Sequence, residues 1–241
     1  MTDRIMLGAD PEGFIINNDG DFFPAFGVIP GDKEHPYKVD GGAVQVDGLA
    51  VEFNIDPVDN EDDFCKNIWK VTSQLTEMIQ SFDKSFKLHW TPVAKFRPTI
   101  WSIAPEQSKM LGCSPDWNVK GEINENPFMR LENNPLRTAA GHIHIGWLQP
   151  DEFPEDPTIG DHFDTCLDIA QGFFNGHLST FVPQTAEEEE RLEYYGLWGS
   201  FRPKRYGIEL RAPSNLWVRS EETQRKIFNE TRKHFNDLTG L

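Results

Sequence analysis

Polar and apolar positions along this chain follow two different periods. Residues 61–82 place Phe64, Ile68, Val71, Leu75 and Ile79 on one stripe at helical spacing, after Asp59 and Asn60 as candidate caps. Residues 160–180 repeat the pattern with Phe163, Leu167, Ala170 and Phe174, around Gly172 and Gly176. Residues 221–238 do so with Ile227, Phe228, Thr231, Phe235 and Leu238, behind Ser220 as a cap. Alternation of period two marks strands at 5–16, 43–55, 86–94, 141–147 and 206–211. Hairpins mixed with helices predict an α+β fold on an antiparallel sheet, its apolar face covered by the three helices. No repeat or low-complexity linker interrupts the 241 residues, so a single domain, 1–241, is expected. "LQPDEFPEDPTIGD" (148–161) reads as a surface loop, and "AEEEERLE" (186–193) as a solvated helix face.

The strands sort their side chains by face. In "GGAVQVDGLAVEFNIDP" (41–57), Asp47-Gly48 between alternating residues signals a hairpin. A two-residue turn there pairs Val46 with Leu49, Gln45 with Ala50, Val44 with Val51 and Ala43 with Glu52. Val44, Val46, Leu49, Val51, Phe53 and Ile55 then share one face, and Ala43, Gln45, Ala50, Glu52 and Asn54 the other. A slip of one residue would bury Glu52, which ties down the faces. In "GHIHIGW" (141–147), His142 and His144 oppose Ile143, Ile145 and Trp147. In "YGIELRAP" (206–213), Glu209 and Arg211 oppose Ile208 and Leu210, and in "GADPEGF", Asp10 and Glu12 flank Pro11 on one face.

Composition narrows the function. Hydrophobic residues make up 38% and charged residues 26%, the balance of a soluble globular protein. A net charge of −16 disfavours nucleic acid and anionic membrane as partners. No apolar run has membrane-span length and no signal-peptide pattern opens the chain, so the cytoplasm is expected. Cys65, Cys113 and Cys166 are widely spaced without a Cys-x-x-Cys, which suggests buried thiols rather than disulfides or zinc. Against the acidic background, "WGSFRPKRYGIELRAP" (198–213) gathers Arg202, Lys204, Arg205 and Arg211 against Glu209 alone. Such an island is either an anion site or a set of ion pairs with acidic neighbours.

The polar face thus collects Asp10, Glu12, Gln45, Glu52, His142, His144, Glu209 and Arg211. Like charges side by side are tolerated when divalent cations lie between them. Mg²⁺ prefers oxygen ligands and shares them with substrate phosphates, and Mn²⁺ tolerates imidazole more readily. Taken singly, a His-x-His strand is also compatible with zinc or with a plain polar face.

"DPEGFII" (10–16), "GHIHIG" and "PKRYGIELRAP" (203–213) resemble, in the same order, motif strands of glutamine synthetase. "GADPEGF", "GGAVQVDGLAVEFNIDP", "AAGHIHIGW" and "YGIELRAPSNLW" are more similar still to the small phage-type COOH–NH₂ ligases (amidoligase type 2). These form a branch of the glutamine synthetase and glutamate–cysteine ligase superfamily. The resemblance implies a curved antiparallel sheet forming a cradle, with helices on the convex face. It implies ATP and Mg²⁺ (or Mn²⁺), and the joining of a small-molecule or peptide carboxylate to an amine through an acyl phosphate. Glu12 and Glu52, with Gln45 or Asp47, would hold one metal, and Asp10, His142 and Glu209 a second. His144 would lie near the nucleotide, and Arg202 and Arg205 would contact phosphates. Arg211 would clamp the substrate carboxylate or the transferring phosphoryl group. Asp10 stands where the family has glutamate, and the separate N-terminal domain of glutamine synthetase is not expected.

Lys33 in "PAFGVIPGDKEHP" (24–36) is a further candidate for phosphate or carboxylate. Cys113, Asp116 and Asn118 in "LGCSPDWNVKGEINENP" (111–127) are candidates for the amine substrate. Glu209→Ala is expected to abolish ATP consumption and leave the fold intact. The competing readings are a metal-dependent hydrolase or phosphotransferase on the same sheet, and a non-catalytic nucleotide or peptide module. A homo-oligomer is possible for a chain with seven Trp and eighteen Phe.

Overall fold

One long strand organises the sheet. In this computed structural model, which describes residues 5–109, 115–124, 134–196 and 199–240, that strand is β1 (Met6–Ile16). The others are β2 (Phe22–Phe23), β3 (Tyr37–Val39), β4 (Gly42–Asp47), β5 (Ala50–Ile55) and β6 (Lys87–His89). They continue with β7 (Val93–Lys95), β8 (Leu136–Thr138), β9 (Gly141–Gly146), β10 (Phe201–Lys204) and β11 (Gly207–Leu210). The main sheet runs β10-β11-β9-β1-β5-β4-β3, antiparallel throughout and open at both ends. The far end of β1 also pairs with β2 and β6, while β7 and β8 form a separate ribbon.

The helices are α1 (Glu61–Phe82), α2 (Pro98–Ile103), α3 (Glu106–Lys109), α4 (Gly160–Phe181), α5 (Ala186–Leu192) and α6 (Glu221–Thr239). α1 starts where its cap demands: the Asn60 side chain accepts the Asp63 N–H at 2.9 Å, and three acids fill the first turn. α6 is capped by Ser220 and ends at Gly240 in the left-handed region. The main core lies between sheet and long helices. Leu7, Ala9, Ile15, Val44, Val51, Phe53, Ile143, Ile145 and Ile208 meet Phe64, Ile68, Val71, Leu75 and Ile79 of α1, Ile169 and Phe173 of α4, and Ile227, Phe228 and Phe235 of α6. Among the described residues, no helix is long and apolar enough to cross a membrane.

The hairpin register differs from the sequence reading. The observed partners are Asp47 with Ala50, Val46 with Val51, Gln45 with Glu52 and Val44 with Phe53. The loop is Gly48-Leu49, with φ of +60° at Gly48, so glycine takes the first turn position instead of the second. The shift of two residues preserves every face, because strand side chains alternate with period two. Leu49 is the exception. As a loop residue it leaves the helix-covered face and joins a second cluster with Phe14, Ala50, Ala94, Phe96, Ala104 and Ala139. The strand read at 86–94 divides into β6 and β7. The charge run at 186–193 is helical, yet Glu188 and Arg191 are buried, so that face is not simply solvated. Cys65 and Cys166 are buried free thiols, and burial pushes Cys166 up to about 12. Cys113 lies outside the described residues.

Candidate functional site

Register builds the site row by row on the face away from the long helices. Gln45, Glu52 and Glu12 are Cα partners across β4, β5 and β1. Asp10 stands opposite His142, and His144 opposite Glu209, which in turn faces Arg202 on β10. Asn215 anchors the row from outside the sheet, donating to the Glu12 carbonyl at 2.9 Å and the Thr91 carbonyl at 2.8 Å.

Two halves differ in electrostatics. In the first, His144 Nε2 lies 2.7 Å from Asp10 Oδ1, and His142 Nδ1 lies 3.4 Å from the same oxygen and 3.8 Å from Glu209 Oε1. Glu209 is fully buried among cations: Arg211 Nη1, Arg202 Nη1 at 3.2 Å and Lys204 Nζ at 2.7 Å. Burial alone would raise Glu209, but Arg211, with His144 and Lys204, holds it far below the usual carboxylate range. Burial likewise works to raise Asp10, and His144 and His142 bring it well below. His144 is pushed down by burial but raised overall by Asp10.

In the second half, no cation among the described residues pairs with Glu12 or Glu52. Gln45 Nε2 donates to Glu52 Oε2 at 2.7 Å, and the Ala140 N–H donates to Glu12 Oε2 at 2.9 Å. Burial, then repulsion from Asp10, Asp47 and Glu12, lifts Glu52 well above its usual range. Burial also raises Glu12, against the pull of His142. Buried acids that repel one another are what a divalent cation would relieve.

The donor set fits such ions. Ligand atoms of Asp10, His144 and Glu209 all lie within 4.8 Å of one another. His142 Nδ1 is buried without a hydrogen-bond partner and faces the same acids. Carboxylates with imidazole suit Mg²⁺ and, better, Mn²⁺. The structure brings both histidines to Asp10, whereas the sequence separated them into a metal ligand and a nucleotide contact.

Arg205 sits in the β10–β11 turn, donates to the Pro154 carbonyl at 3.0 Å and lies beside the Phe153 ring. Lys204 joins Arg202 at Glu209, because the two share a face of β10 by alternation. Lys33 reaches Asp47 at 3.3 Å, at the Gln45–Glu52 end of the sheet. Asp116 receives Arg211 Nε at 2.9 Å and is itself held by Asn124 at 2.8 Å. Asn118 instead accepts the Lys120 and Glu122 N–H groups and so closes a local turn.

Tyr195 and Tyr206 were not foreseen. Their hydroxyls meet His142 Nε2 and His144 Nδ1, and the Arg211 guanidinium lies over the Tyr195 ring. Tyr206 opens the alternating stretch 206–211 but was given no role there, and Tyr195 comes from a segment outside the alternating motifs.

No protein-family model matches the sequence, and no curated protein matches it. Among solved structures, glutamine synthetase from Plasmodium falciparum superposes with a TM-score of 0.46 at 12% identity, over 98% of this chain and 52% of that one. A bifunctional glutathione synthetase from Pasteurella multocida gives a TM-score of 0.53 at 12% identity, over 96% of this chain. The chain spans 38% of that enzyme's length. At this identity the likeness is one of fold, and it gives the chain the architecture of part of a bifunctional glutathione synthetase.

Proposed function

We propose that this chain is an ATP- and divalent-metal-dependent carboxylate–amine ligase, a phage-type COOH–NH₂ ligase whose polar sheet face is a glutamine-synthetase-like cradle. One observation carries the reading: acids and imidazoles share this face with three cations that converge on Glu209. Water activation for hydrolysis needs the acids and imidazoles but leaves the cations idle. Phosphoryl transfer needs both, because its demands are positioning and charge neutralisation.

In this reading Glu12, Glu52 and Gln45 hold one metal, and Asp10, His142 and Glu209 hold another, with His144 at the same carboxylates. Bound there, the ions would neutralise the phosphates of ATP. Arg211, fixed by Glu209 and Asp116, presents its guanidinium in a set orientation, and Arg202 and Lys204 add charge beside it. These residues stabilise the equatorial oxygens while a substrate carboxylate oxygen bonds to the γ-phosphorus and the bond to ADP breaks. The amine nitrogen of the second substrate then adds to the acyl carbon and loses a proton, and phosphate leaves. The proposed substrates are small-molecule or peptide carboxylates and amines, met in a cytoplasm, that of the host if the chain is phage-encoded.

The test is ADP release by the purified chain with ATP, Mg²⁺ or Mn²⁺ and mixed amino acids. Release only when carboxylate and amine are both present supports the ligase. Nucleotide-independent cleavage would mark a hydrolase, and binding without turnover a module.

A further inference from the structure

Each histidine of the site uses one ring nitrogen for a tyrosine and the other for the acids. His144 Nδ1 meets the Tyr206 hydroxyl, and its Nε2 meets Asp10 Oδ1 at 2.7 Å. His142 reverses the arrangement: its Nε2 lies 3.2 Å from the Tyr195 hydroxyl, and its Nδ1 faces Asp10 and Glu209. The two rings point opposite nitrogens at the same pair of carboxylates. The tyrosines reach them from separate places, the β10–β11 turn and the segment after α5.

We infer that Tyr206 and Tyr195 are positioning residues that hold His144 Nε2 and His142 Nδ1 toward Asp10 and Glu209 as metal-ligand atoms. The inference rests on the proposed metal centre and adds to it the groups that orient its imidazoles. A hydroxyl suits this task because it both donates and accepts. In the metal-free protein, a neutral His144 that donates Nε2–H to Asp10 would accept from Tyr206 at Nδ1. When Nε2 gives its lone pair to a cation, the ring proton resides on Nδ1 and the Tyr206 oxygen accepts it. A backbone carbonyl or a carboxylate would serve the second state alone. Partners of this kind fix ring orientation, and their loss typically weakens metal affinity ~10–100-fold. With two imidazoles beside two carboxylates, the centre favours Mn²⁺ over Mg²⁺.

The experiment is Mn²⁺ binding, followed by electron paramagnetic resonance of the unbound ion, on the full chain without nucleotide. Tyr206→Phe keeps the ring and removes only the hydroxyl. It is expected to weaken Mn²⁺ binding ~10–100-fold, with no further loss when His144→Ala is already present. Tyr195→Phe is expected to act in the same way through His142. Undiminished binding, or an equal loss with and without His144, overturns the inference. A second readout needs no metal: the imidazole ¹⁵N signals of His144 are expected to move in Tyr206→Phe while the backbone amide spectrum matches wild type. Unmoved imidazole signals also overturn it. Should the wild-type chain take up no Mn²⁺, the metal centre of the ligase reading fails, and the metal-free signals still decide whether the tyrosines set the rings.

Discussion

Replacing Arg191 by Met probes a buried ion pair that supports the site from behind. Arg191 is fully buried and Glu188 is 1% exposed, with Arg191 Nε donating to Glu188 Oε2 at 2.7 Å. Arg191 Nη2 also donates to the Ala212 carbonyl at 2.7 Å, one residue from Arg211. Removing the arginine leaves a buried carboxylate without its paired cation, and breaking such a pair costs about 3–5 kcal/mol. For a chain of this size each kcal/mol moves Tm by roughly 2–4 °C. The variant should therefore melt roughly 6–20 °C below wild type in calorimetry. Glu188→Leu combined with Arg191→Met should recover most of that loss, because two apolar side chains leave no buried charge. Below its Tm, the single variant should still release ADP more slowly, since the strand end carrying Arg211 has lost an anchor. A Tm within about 2 °C of wild type, or a double variant no better than the single one, would refute the reasoning.

Other predictions follow from the same electrostatics. Glu12 and Glu52 are raised on folding, so the folded metal-free protein holds more protons than the unfolded chain above the usual carboxylate range, and its stability should fall as pH rises through that window. Asp10 and Glu209 are lowered, so their contribution is present above the usual range and should be lost as pH falls below it; thermal melts across pH would show both flanks, with Mn²⁺ restoring the alkaline one. Glu52→Gln should raise the metal-free Tm at pH 7 while weakening Mn²⁺ binding, both read on one sample. Lys204→Ala should slow ADP release at least ~10-fold, the loss of a charge-assisted contact of about 1.5 kcal/mol, whereas Arg205→Ala should leave it within about twofold. Glu209→Ala, expected from sequence to spare the fold, should instead lower Tm as well as activity, because it leaves Arg211, Arg202 and Lys204 without their shared anion.

What the sequence disclosed followed period and local chemistry. Stripes and caps were legible in α1 and, up to Phe235, in α6, and α1 begins one residue after Asn60 as its capping requires; in α4 the buried face is Cys166, Ile169, Ala170 and Phe173, offset from the stripe read at Phe163, Leu167 and Phe174. Faces were legible because alternation survives a two-residue slip, so Gln45 and Glu52 stayed together although their partners were misjudged. Turn geometry was not legible at Asp47-Gly48, since either assignment gives glycine a central position. Lys204 was legible only as part of the basic island; that it shares a face with Arg202 follows from β10, an edge strand that tolerates Pro203. Tyr195, Asp116 and the Glu188–Arg191 pair depend on where loops and a charged helix come to rest. That is a tertiary outcome with no periodic trace.

The central claim is that one face of the sheet binds divalent cations with a nucleotide. Counting Mn²⁺ bound per chain in the presence of ADP tests it directly, with wild type compared against Asp10→Asn combined with Glu52→Gln. The account predicts tight Mn²⁺ uptake by the wild type, strengthened by ADP, and its loss in the folded double variant. No uptake by the wild type, or equal uptake by both proteins, would contradict it.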